Sequence, residues 1–241
     1  MTSKLLNIWT KSKAKLTGVL ALGLLAGCAA QPGGADNPIT NKFQWFSYIE
    51  GGDFRNACGS GAPDRYRIIY NAIYTEQVRI YELTSAPMRL HTRVLLPMDL
   101  RDFHVDSLGG LLDPWRGQAA GADLSEPDMN ALVADLDAFG AFGSPNQGAE
   151  LSSKGFFWTL AACHKGSYHF TGFPWPSAQW DQARFTKRLF ALDPTGVPIN
   201  EPRKTKTSRE LGASKGSQKN PVQQYHLKVG KNGLAGWGTI F

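Results

Sequence analysis

Five histidines, one acidic run and one Gly-Ser-Gly turn are the groups in this 241-residue chain whose types and spacing could do chemistry. His164 and His169 flank Lys165-Gly166, so a hairpin there would bring two imidazoles close together. A zinc or copper ion would then need a carboxylate or a third His from elsewhere. The plainer reading is two satisfied imidazoles. His91, His104 and His226 stand apart, and no HExxH or CxxC occurs. Asp99, Asp102, Asp106 and Asp113 crowd one stretch, and paired carboxylates at suitable separation hydrolyse glycosides. Arg101 and Arg116 could equally neutralise them. Gly59-Ser60-Gly61 resembles a phosphate-cradling nest, but no helix with a Lys follows it, so it reads as a turn. Trp115-Arg116, Trp175 and Trp180 are candidate binding residues, since aromatic anchors dominate recognition. Core packing is the competing reading for them. No catalytic residue, metal or cofactor is assigned.

The elements that must position these groups are mostly strands. Tyr66, Ile68 and Tyr70 alternate with Arg67, Ile69 and Asn71. Gln77–Leu83 and Arg89–Leu96 follow the same period, with Leu90, Thr92, Val94 and Leu96 on one face. Short connections such as Ser85-Ala86-Pro87 favour antiparallel neighbours. Gly155–Cys163 is a continuous apolar run, read as a central strand, and Lys165-Gly166 turns it into a hairpin. Residues 184–192 read as another strand. The clearest helix is 125–139, with Ser125 as N-cap, Pro127 in the first turn, and Met129, Leu132, Val133, Leu136 and Phe139 on one face. Asp53–Ala57 reads as a short turn, and residues 99–124 as a long loop. The expected class is α+β, a mainly antiparallel sheet with one prominent helix.

The amino-terminal residues address a different question. Lys4, Lys11, Lys13 and Lys15 precede an apolar run from Leu16 to Leu25, which ends in Leu25-Ala26-Gly27-Cys28. The run falls well short of the roughly 20 residues a membrane-spanning helix needs. The basic, apolar and small-residue regions have the layout of an export signal. Leu25 to Cys28 resembles the lipobox of bacterial lipoproteins. The resemblance implies cleavage before Cys28, a lipid on its sulfur and an acylated new N-terminus. Two or three acyl chains anchor stably where one would not. Ala29 and Ala30 follow the cysteine where an Asp would favour inner-membrane retention, which implies the outer membrane, facing the periplasm, in a Gram-negative host.

With Cys28 committed to lipid, Cys58 and Cys163 remain as an even pair in an oxidising compartment, and a disulfide is expected. Two separate buried thiols are the alternative. The charge is uneven. The leader contributes +4 and residues 201–231 contribute +6, so the rest is acidic although the whole chain carries +6. That distribution speaks against a nucleic-acid-binding domain. The expected organisation is a signal over 1–27, a tether over 28–42 and a globular domain over 43–200. A basic segment over 201–224 and a docked hairpin over 225–241 complete it. The basic segment suits contact with anionic lipid or another polyanion, or is a solvated linker. The expected function is non-catalytic: a cell-envelope lipoprotein that binds an envelope protein or cell-wall component. The alternative is an envelope hydrolase using the acidic run.

Overall fold

A strand buried along nearly its whole length must be covered on both sides, and β1 (Arg65–Ala72) and the apolar β6 (Phe156–His164) are of this kind. They pair with each other, antiparallel, near the middle of a six-stranded sheet. The order is β4 (Gln118–Asp123), β3 (Met88–Leu95), β2 (Gln77–Ser85), β1, β6 and β7 (Ser167–Pro174), all antiparallel. A second sheet joins β5 (Glu150–Ser152), β8 (Gln224–Val229) and β9 (Leu234–Ile240). The computed structural model describes residues 45–96, 117–204 and 224–240. The class is α+β, mostly sheet.

Two covers follow from the alternation along β1. Tyr66, Ile68, Tyr70 and Ala72 join a core with α3 (Glu126–Phe139), α4 (Ala178–Gln182) and α5 (Phe185–Ala191). Ile69 joins a second core with Phe46 and Ile49 of the helical turn α1 (45–49), Leu151 of β5, and Tyr225, Leu227 and Val229 of β8. Helices therefore lie on one face, and α1, α2 (Gly52–Ala57) and the small sheet on the other. α3 begins as its sequence dictates. The Ser125 hydroxyl accepts from the Asp128 amide at 3.2 Å, and Gly140 stops the helix at φ 83°.

Four local expectations differ from the structure. Residues 184–192 form α5 rather than a strand, because Phe185 and Leu189, four apart, bury together against the sheet. Residues 53–57 are helical rather than a turn. Gly51, at φ 66°, lets the chain enter α2 where a Cβ would lie 2.6 Å from that of Ala161. Leu96 lies just past β3 and is exposed, unlike Leu90, Thr92 and Val94. Within 99–124, Gln118–Asp123 is a strand, β4.

Each cover is tied to the sheet by a buried arginine. On the α1–α2 side, the Arg67 guanidinium donates to both Asp53 oxygens at 2.8 and 3.0 Å, to Glu82 at 2.8 Å and to the Tyr48 carbonyl at 2.9 Å. It also lies 3.7 Å from the Tyr48 ring centroid. On the helix side, Arg79 is fully buried and pairs with Asp193 and the Pro198 carbonyl. Burial would raise the Asp193 carboxyl. Hydrogen bonds from Thr195 and Tyr81 and the Arg79 charge outweigh it, so its pKa lies below the usual range. Arg203 pairs with Glu76 in the connection between β1 and β2. Among the described residues, no helix is long and apolar enough to cross a membrane.

Removing one partner of a buried ion pair leaves an uncompensated charge. Arg79→Ala is expected to lower stability by about 3–5 kcal/mol in urea unfolding. A loss within 0.5 kcal/mol would show that the helix-side cover does not depend on this pair.

Candidate functional site: a groove at the outer edge of β7

The β6–β7 hairpin turns on two residues, Lys165 at φ 50° and Gly166 at φ 75°. Positive φ at both positions matches the right-handed twist of the flanking strands. A Cβ on Gly166 would sit 3.0 Å from the Gly59 carbonyl, so the hairpin tip packs tightly on the loop that follows α2. The Cys58–Cys163 disulfide, Cα to Cα 5.5 Å, fastens the same loop to β6. Its cysteines are 105 residues apart in sequence, and closing a loop of that size stabilises a fold by roughly 4–5 kcal/mol on the chain-entropy estimate.

Asp64 completes the junction. One of its oxygens accepts from the Lys165 amide at 2.7 Å, and the other accepts from the Tyr66 hydroxyl at 3.1 Å and lies 3.0 Å from His164 Nδ1. Tyr66 Oη is itself 2.8 Å from that nitrogen. Phe142 stacks on His164 at 4.0 Å and meets His169 edge-on at 5.6 Å. The hairpin thus brings His164 and His169 to one face. Their partners there are a ring, a carboxylate and a phenol. Among the described residues, no group of three His, Cys, Asp or Glu could hold a metal ion. No Ser, Thr or Cys among them bonds to His164 as a nucleophile would.

Beside this junction, the outer edge of β7 borders a groove of about 420 Å³. Its walls are Gly143, Ser144 and Pro145 on one side and Lys231 and Asn232 on the other, with Tyr168, His169 and Phe170 between. The walls have a topological cause. After α3, the chain must reach β5 on the opposite face, so residues 140–149 pass around the β7 edge. Gly148 N–H then donates to the Val229 carbonyl at 2.8 Å, and Asn146 clasps β7 through the Thr171 hydroxyl and the Gly172 carbonyl. The other wall is the β8–β9 turn. Glu50 holds it by accepting from the Leu234 amide at 3.0 Å, while also pairing with Arg55 at 3.5 Å.

The lining groups differ in readiness. The Tyr168 hydroxyl donates to the Glu50 carbonyl and accepts from Arg55 at 3.3 Å; burial raises its pKa. The Phe170 ring is buried in the small-sheet core. His169 is half-buried, and burial, then the nearby His164 charge, lowers its pKa. Lys231 is exposed and makes no ion pair among the described residues.

Of the residues singled out in the sequence, Trp175 and Trp180 pack against the helix-side core. Trp180 lies 6.1 Å from Tyr70 and 6.2 Å from Trp158, and Trp175 lies 5.9 Å from Phe156. Neither lines the groove. Cys28, Asp99, Asp102, Asp106, Asp113, Trp115, Arg116 and the stretch 205–223 lie outside the described residues. Sequence reading missed Ser144, Tyr168, Phe170, Lys231 and Asn232. The alternation 168–172 was visible, but its approach to residues 143–145 and 231–232 was not. No protein-family model, no curated protein and no solved structure matches this chain.

His169 supplies a pH test. Its folded pKa lies below its unfolded one, so the unfolded chain binds more protons, and stability falls as pH drops through the unfolded value near 6.5. His169→Gln is expected to flatten that part of the stability curve between about pH 7 and 5. An unchanged slope, measured by urea unfolding across that range, would remove His169 as its source.

Proposed function

We propose that this chain is a lipid-anchored envelope protein whose folded domain binds a partner at the β7 groove. The groove carries the reading: among the described residues, edge backbone groups of β7 without a partner, an imidazole whose pKa burial lowers and a cation without an ion pair converge where the sheet's covers end. The basic leader, the apolar run and Leu25-Ala26-Gly27-Cys28 support export and lipidation at Cys28. The Cys58–Cys163 disulfide agrees with an oxidising compartment. An acyl anchor holds the domain at a surface, so a partner is met there at raised effective concentration.

A photo-crosslinking residue placed at Ser144 or Asn232 in cells is expected to capture the same partner, while one at exposed Asp137 on α3 captures none. Cys28→Ser is expected to abolish palmitate labelling and release the protein from membranes. Equal capture at Asp137 would contradict the groove, and retained labelling would contradict the anchor.

A further inference from the structure

The outward-facing groups of β7 can be assigned residue by residue. Trp175 N–H donates to the Phe156 carbonyl at 2.8 Å, which fixes the odd-numbered residues of β7 as those bonded to β6. Alternation then turns the N–H and C=O of Tyr168, Phe170 and Gly172 away from the sheet. Gly172 is taken, because its carbonyl accepts from Asn146 Nδ2 at 3.1 Å. Among the described residues, no group bonds to the backbone of Tyr168 or Phe170 on that side. Four backbone groups at two-residue spacing therefore face the groove.

The side chains decide what could lie against them. A sugar would need an open aromatic face, but Phe170 is buried and Tyr168 is tied to Glu50 and Arg55. Among the described residues, the lining holds one full charge, Lys231, and no carboxylate. β4, at the other edge, has exposed Gln118, Ala119, Gly121 and Asp123. Resting on the reading of this groove as the binding site, we infer that its occupant is an extended acidic segment of a partner protein. It adds to β7 as a strand, pairs with Tyr168 and Phe170, and sets a carboxylate against Lys231. Asn146 marks where the added strand stops.

The test uses the full chain and a library of random 12-residue linear peptides. Selected peptides are expected to be enriched in Asp and Glu, and to slow exchange of the Tyr168 and Phe170 amides at least about tenfold when bound. Lys231→Glu, an exposed substitution, is expected to weaken them about tenfold with the fold unchanged by circular dichroism. Bound peptides that leave both amides exchanging freely, or that ignore Lys231→Glu, would overturn strand addition and its acidic ligand. Failure to select any peptide would overturn it too. The groove itself falls separately, if crosslinking at Ser144 and Asn232 fails or is matched at Asp137.

Discussion

Everything in this domain depends on covering a sheet whose central strands are buried on both faces. β1 and β6 cannot stand against water on either side, so the chain must supply two covers, and it does so with unlike materials. Helices α3, α4 and α5 seal one face, and two short helices with a three-stranded sheet seal the other. Arg67 and Arg79 set the position of each cover. A guanidinium taken out of water needs its carboxylates and backbone carbonyls in place, and apart from Glu82 of β2 these come from outside the sheet.

The groove is a consequence of that arrangement. A single chain that covers both faces must cross the sheet's edge, and residues 140–149 make the crossing at β7. The crossing closes the edge at Gly172 and, among the described residues, leaves it open at Tyr168 and Phe170. The Asp64, Tyr66 and His164 cluster and the Cys58–Cys163 disulfide hold the hairpin tip on one side of the opening. Glu50 holds the β8–β9 turn on the other. An unpaired edge is ordinarily a liability that proteins blunt. Here it is walled rather than blunted.

Much of the fold is legible in the sequence because burial writes periodicity. The two-residue alternation in 66–71 and 168–172 gave strands and their faces, and Ser125 with Gly140 bounded α3. The failures are physical. Residues 184–192 are short enough that Phe185 and Leu189 fit either period until the sheet chooses between them. β4 is Gln-Ala-Ala-Gly-Ala-Asp, with no branched or aromatic residue to mark it, and it exists because β3 pairs with it. The groove is less legible still. Ser144, Phe170 and Lys231 meet only through tertiary packing, and half of what they frame is backbone.

Native-state amide hydrogen exchange of the unliganded chain tests the free β7 edge most directly. His169 and Thr171, bonded to β6, are expected to be protected, while Tyr168 and Phe170, adjacent in sequence, exchange at nearly unprotected rates. Equal protection at all four amides would mean that the edge is already occupied, and would contradict the account.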